Sequence, residues 1–206
     1  MSRAETTHDS DWKDGFLFLG NQLALDFLNT RPVLNSEATE LLPDFRALVR
    51  WFQAADRLSS EKAAKLEQDW GRSRAQRVLE DLRELRERLR KQVLAWENGG
   101  TLSNATVEEL NELMAKYPMR SRLKRRGNES TMEHYFEPQQ PEDLFTPLAQ
   151  SAAELFANVD SSRVRKCDHC VLHFHDTSKK GTRRWCSMRF CGNRIKVAAY
   201  AGRRRK

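Results

Sequence analysis

Apolar residues along most of this chain recur every three or four positions, the period of helices that pack through one face. The first exception is Phe16-Leu17-Phe18-Leu19, an apolar run short enough for a buried strand or extended segment. Gly20 interrupts it, and Asn21 is placed to cap a short helix carrying Leu23, Ala24, Phe27 and Leu28. Asn29-Thr30-Arg31-Pro32 ends that helix, because the residue before a proline resists the helical region. Pro43 suits a first helical turn, with Phe45, Leu48, Val49 and Phe52 sharing a face behind it. Leu58-Ser59-Ser60-Glu61 reads as an N-cap with an acid in the first turn, ahead of Ala63, Leu66 and Trp70.

The longest helix is predicted from about Arg74 to Trp96, on Val78, Leu82, Leu85, Leu89, Val93 and Trp96, with Glu and Arg filling the rest. Asn98-Gly99-Gly100 stops it, and a further capped helix turns Val107, Leu110 and Leu113 inward. Residues 119–138 switch to strand character around Arg126-Gly127-Asn128-Glu129, a β-hairpin turn. A last helix, about 142–158, carries Leu144, Leu148, Ala152, Leu155 and Phe156 on one side. The fold class expected is therefore mainly α with a small β-hairpin or sheet, an α+β arrangement. Residues 1–14 are polar, aperiodic and expected to be disordered; 15–160 form the helical domain; 161–206 form a separate C-terminal module.

Charge sharpens that division. The chain of 206 residues carries a net +7. Yet residues 161–206 hold fourteen Lys and Arg against only Asp168 and Asp176, a balance of +12, which leaves −5 on residues 1–160. The C-terminal module therefore calls for a partner rich in negative charge. No apolar run approaches the ~20 residues a membrane helix needs, and the N-terminus lacks a signal-peptide core. A cytoplasmic location, with no membrane partner, is expected.

In a reducing compartment, clustered cysteines are metal ligands more often than disulfides. The module reads Cys167-Asp-His-Cys170, fifteen residues, Cys186, four residues, Cys191. A two-residue gap lets both sulfurs of the first pair face one ion, and zinc favours four such ligands in a tetrahedron. A Cys₃His set drawing on His169, His173 or His175 is the alternative. The segments 171–176 and 182–185 are predicted to form a hairpin around Lys179-Lys180-Gly181, with the second pair entering a helix. Knuckle, hairpin and helix make a treble-clef-like finger around one structural Zn²⁺. A segment this short cannot fold on apolar burial alone, whereas structural zinc supplies roughly 10–16 kcal/mol.

The stretch Trp185-Cys186-Ser187-Met188-Arg189-Phe190-Cys191-Gly192-Asn193-Arg194 closely resembles the CGNR zinc finger of bacterial regulators. Asp176-Thr177-Ser178, the Arg183-Arg184 pair and the basic start Ile195-Lys196-Val197 extend the match over about residues 165–203. The first cysteine gap is shorter here than is common in that family. Upstream, Gly20-Asn21-x-Leu23-Ala24-Leu25-Asp26-Phe27-Leu28-Asn29-Thr30 resembles the opening signature of the ABATE domain that accompanies this finger. The resemblance implies a stress-response transcription regulator whose finger binds duplex DNA and whose N-terminal domain senses a small-molecule effector.

Carried onto this sequence, Cys167, Cys170, Cys186 and Cys191 hold the metal. Arg183, Arg184, Arg189, Asn193, Arg194, Lys196, Arg203 and Arg204 are the expected nucleic-acid contacts, since arginine pairs with phosphate or guanine and asparagine with adenine. Asp26 and Asn29, polar groups in an apolar helix, are the candidate effector contacts. An RNA-binding module and a protein-interaction adaptor are the competing readings, and a homodimer is compatible with a DNA regulator. No Gly-rich phosphate loop or nucleophile elbow is present in the sequence. Glu133 and His134, adjacent on a strand, point to opposite faces, so an enzyme is not expected.

Overall fold

The computed structural model describes residues 11–34 and 37–193. Its elements in chain order are β1 (Trp12–Lys13), β2 (Phe16–Leu17), α1 (Leu23–Leu28), β3 (Val33–Leu34), β4 (Glu37–Ala38), α2 (Phe45–Ala54), α3 (Ser60–Asp69), α4 (Arg72–Glu97), α5 (Asn104–Lys116), β5 (Arg120–Arg126), β6 (Glu129–Tyr135), α6 (Phe145–Asn158), β7 (Val164–Lys166) and β8 (His173–His175). The strands form four separate antiparallel pairs, each two-stranded. The protein is mainly helical with small antiparallel sheets, as the periodicity predicts.

Three helices start where a side chain accepts an otherwise orphaned backbone N–H. Asp44 accepts from Ala47 at 2.7 Å, Ser59 from Lys62 at 3.3 Å and Ser103 from Thr106 at 3.2 Å; such caps contribute ~1 kcal/mol each. The spine is α4, whose Val78, Leu79, Leu82, Leu85, Leu89 and Val93 are buried in the large core it shares with α1 and α2. At the centre Trp51 is fully enclosed, its ring 5.0 Å from Phe52, 5.6 Å from Phe27 and 6.1 Å from Phe18.

Arg86 is the exception on α4. It is 2% exposed and donates to Thr30 Oγ1 at 2.8 Å and to both carboxylate oxygens of Glu40. Burial alone would push the Glu40 carboxyl up, but the Arg86 hydrogen bond and charge hold it below the usual carboxylate range.

Several expectations are corrected. Residues 11–14 are not irregular, because Trp12 pairs with Leu17 and Lys13 with Phe16 across a tight turn; residues 1–10 lie outside the described residues. Asn21 does not cap α1, whose N-cap is Gln22. Asn21 instead takes a left-handed φ of 57°. Val107 is 39% exposed, while its neighbour Leu110 is buried. In the C-terminal module the hairpin forms from the strands flanking the first cysteine pair, with Val164 opposite His175 and Lys166 opposite His173, rather than between the two pairs.

Candidate metal centre

Strands β7 and β8 lead into and out of a knuckle at Cys167–Cys170. The Cys167 N–H donates to Leu172 O at 2.7 Å and closes it. Val171 accommodates the reversal at a φ of 59°, a conformation that costs a β-branched residue roughly 1–2 kcal/mol. Beyond β8, the fully buried Asp176 fixes the return path, accepting from Ser178 N at 2.9 Å and Arg183 N at 2.8 Å. The Arg163 guanidinium donates to the carbonyls of Asp176 and Ser178, and Arg165 donates to that of Gly181. This frame delivers Cys186. Ser187 then caps a five-residue π-type turn, Met188–Gly192, by accepting from the N–H groups of Arg189 and Phe190, and so delivers Cys191. A Cβ on Gly192 would lie 2.7 Å from Met188 Sδ, so the Met188 side chain packs directly over this glycine.

The four sulfurs converge, all within 4.8 Å of one another. Cys170 Sγ is 3.4 Å from Cys186 Sγ, which is 3.7 Å from Cys191 Sγ. These distances exceed a disulfide bond of ~2.05 Å. They match the ~3.8 Å edge of a tetrahedron with Zn–S bonds of ~2.3 Å. Hydrogen bonds from Cys170, Cys186 and Cys191 hold the Cys167 thiol down, whereas its three neighbours push Cys186 up. Four sulfurs this close cannot all carry charge unaided, and a divalent cation among them would offset their mutual repulsion. Cys167, Cys186 and Cys191 are buried and Cys170 half-buried, a closed set with no open position for substrate, which fits a single structural zinc ion. The Cys₃His alternative loses its buried histidine, since His173 Nδ1 lies 3.0 Å from Glu97 Oε1.

The module docks on α1 through the opening signature. His175 N donates to Gly20 O at 2.8 Å, and Asn21 Nδ2 donates to His175 O at 2.9 Å. Asn29 Nδ2 donates to His173 O at 2.8 Å, and His173 N donates to Asn29 Oδ1 at 2.9 Å. Gly20 is required here, because a Cβ would lie 2.7 Å from Leu25 Cβ and 2.8 Å from the Asp26 nitrogen. Ser187 Oγ also donates to Asp11 Oδ2 at 2.6 Å. Leu17 and Leu19 share an apolar cluster with Cys167, Cys186, Cys191, Leu172 and Phe174, while Val164 joins the large helical core.

The expected nucleic-acid contacts divide. Arg183 is half-buried, its guanidinium 5.0 Å over the Phe174 ring and donating to Cys186 O, so it braces the finger. Arg184 is 70% exposed beside Asp168, and Arg189 and Asn193 are exposed. Arg194, Lys196, Arg203 and Arg204 lie outside the described residues.

The two candidate effector residues also separate. Asn29 is held on His173. Asp26 lines a hollow of about 670 Å³ together with Phe18, Asn21, Arg57, His134 and Glu154. Its Oδ1 accepts from Gly20 N at 2.7 Å, and burial pushes its carboxyl up to about 7 against the lowering effect of the Gly20 and Leu19 N–H groups. The roles of Asn21 as a tether and of Asp176 as organiser were not read from the sequence. Asn21 is followed by Gln22 and Asp176 by Thr177, so no local contrast in polarity marks either residue.

Two protein families match the chain. Residues 21–159 match ABATE, described as “Putative stress-induced transcription regulator”, and residues 163–204 match the CGNR zinc finger. No curated protein matches it. Among the described residues no helix is long and apolar enough to cross a membrane.

Proposed function

Because this chain belongs to the ABATE family and carries a CGNR zinc finger, we propose that it is a zinc-dependent DNA-binding transcription regulator. The carrying observation is the tetrathiolate frame. It holds Arg184, Arg189 and Asn193 exposed at the mouth of a segment whose balance is +12. With four thiolates and one Zn²⁺ included, that segment still carries +10, enough to displace counterions from a phosphate backbone. The N-terminal domain acts as the sensor, and two observations support that role: the hollow reaching Asp26, and the hydrogen bonds joining α1 to β8. An effector seated in the hollow touches the helix that holds the finger, so its binding energy reaches the metal module through shared backbone contacts.

The test is selection of random duplex DNA by zinc-loaded full-length protein at about 150 mM salt, where weak contacts are screened. Enrichment of a sequence motif is the expected result. Recovery without enrichment, or none, removes the specific-regulator reading and favours RNA or a protein partner.

A further inference from the structure

The hairpin β5–β6 is the most exposed feature of the described chain. All seven residues of β5 are exposed, and β6 is exposed except at Glu133 and Tyr135, which are half-buried. A two-stranded ribbon open on both faces is only marginally stable in water. This one is held by side chains across the strands. Arg122 donates to Glu133 at 2.8 Å and lies 4.8 Å from the Tyr135 ring, and Ser121 Oγ is 2.9 Å from His134 Nδ1.

The register sorts the side chains. Residues opposite each other share a face and alternate along the strand. Leu123 faces Met132, with the Ser121–His134 and Arg125–Ser130 pairs on the same side. Arg120, Arg122, Lys124 and Arg126 take the other side. Leu123 and Met132 are 70% and 64% exposed, an apolar pair at the outer half of a strongly cationic arm. Glu133 answers Arg122 and Lys124. Among the described residues no carboxylate pairs with Arg120, Arg125 or Arg126.

The arm and the finger also share a side of the molecule. Ser121 and His134, at the base of the arm, line the 670 Å³ hollow together with Phe18 and Asn21. Phe18 and Asn21 in turn line an adjoining hollow of about 410 Å³ with Arg183, Met188 and Arg189 of the finger. The face carrying Leu123, Met132 and Arg125 is therefore the one that looks across this concave surface toward the finger. Asp26 and Glu154 line the first hollow, which confines a phosphate path to the cationic rim.

We propose that the β5–β6 arm is a second duplex-DNA contact, gripping the same duplex as the finger; this rests on the DNA-binding reading above. At ~3.4 Å per residue each strand is roughly 20 Å long, enough to cross a major groove ~12 Å wide, which admits a two-stranded ribbon. Arg125, on the face turned to the duplex, then meets a phosphate directly, and the long side chains of Lys124 and Arg126 reach around from the opposite face to phosphates flanking the groove near the tip. Leu123 and Met132 meet base edges, where thymine methyl groups offer apolar contact that water does not.

The test compares full-length zinc-loaded protein with Lys124→Gln/Arg125→Gln/Arg126→Gln on a mixed-sequence duplex across a range of salt. Each lost phosphate contact reduces the log–log salt slope by about 0.9, so a fall of roughly 2–3 is expected, with at least about tenfold weaker binding at low salt. The variant Arg125→Lys/Arg126→Lys keeps the charge and should keep the slope; retained zinc and an unchanged circular-dichroism spectrum certify each fold. An unchanged slope in the triple variant, with intact binding by the parent protein, overturns the arm alone. Loss of slope only on single-stranded RNA also overturns it. Absence of salt-sensitive duplex binding by the parent protein overturns the DNA reading and the arm with it.

Discussion

The side-chain amide of Asn29 closes a two-hydrogen-bond ring with the backbone of His173, 144 residues later in the chain, at 2.8 and 2.9 Å. An asparagine side chain thus does the work of a neighbouring strand for β8, which has β7 on its other edge. Asn29→Ala leaves a buried N–H and C=O unpaired, at ~1–3 kcal/mol each. Denaturant unfolding of the zinc-loaded protein should show a loss of about 2–4 kcal/mol, and zinc transfer to a chelator should accelerate. Unchanged stability would mean that the Asn29 amide does not hold the finger.

One zinc per chain is expected by elemental analysis, and Cys186→Ser should lose it. Because the cysteines pack with Leu17, Leu19, Leu172 and Phe174, chelation should also disturb β2 and the Trp12–Phe190 contact, whose ring centroids lie 6.1 Å apart. Near-ultraviolet circular dichroism reads that change. The far-ultraviolet helical signal should largely persist, since α2 to α6 are buried in a different cluster.

Val171 sits at a φ of 59° between Cys170 and Leu172. Val171→Gly relieves ~1–2 kcal/mol of left-handed strain, offset by the ~0.5–1 kcal/mol of entropy a glycine loses on folding. The remainder should tighten zinc by about two- to fivefold in a chelator competition, because metal binding and finger folding are one equilibrium. Weaker zinc in the glycine variant would show that the valine side chain contributes packing instead.

Asp26 ties stability to pH in an unusual direction. Its carboxyl is about 7 in the folded chain and ~3.9 in the unfolded one. Between those values the native state holds a proton that the unfolded state lacks. Stability from this group is therefore fully present below about pH 4 and is lost as pH rises through 7, by about 4 kcal/mol in all. Asp26→Asn keeps an acceptor for Gly20 N–H and removes the dependence. Comparing the two proteins in urea at about pH 5.5 and about pH 8.5, the variant should gain about 2 kcal/mol relative to the parent. A constant difference would show that Asp26 titrates as an ordinary exposed carboxylate.

The helices were legible because their information is local. Ser59 caps α3, and the three- and four-residue spacing through Val93 locates α4. Gly99, at a φ of 81°, follows that helix where Asn98-Gly99-Gly100 predicts a stop. The cysteine cluster was legible too, since ligand chemistry leaves few meanings for that spacing. What escaped were pairings set by tertiary geometry. Arg86 belongs by composition to the wet face of α4, yet its guanidinium is enclosed by Thr30 and Glu40, from segments that precede it by 56 and 46 residues. Asn21 has the residue type of a cap, and only the docking of β8 turns it into a tether. Arg183 reads as a cation for DNA until Phe174 and the Cys186 carbonyl take up its guanidinium. In each case the sequence named the functional group and left its partner unspecified.

The exchange of Leu17 and Leu19 for Val164 across the two apolar clusters has a bearing on ancestry. The family matches part between residues 159 and 163, but the packing does not. Recombination at that seam would hand a new carrier a finger lacking the wall of its sulfur cage, and leave the donor with a bare leucine pair on its surface. A finger with this interface depends for its packing on the segment that precedes α1. Its descendants must keep α1 and β8 matched, so substitutions at Gly20, Asn21 or Asn29 should be tolerated only with compensating changes around His173 and His175.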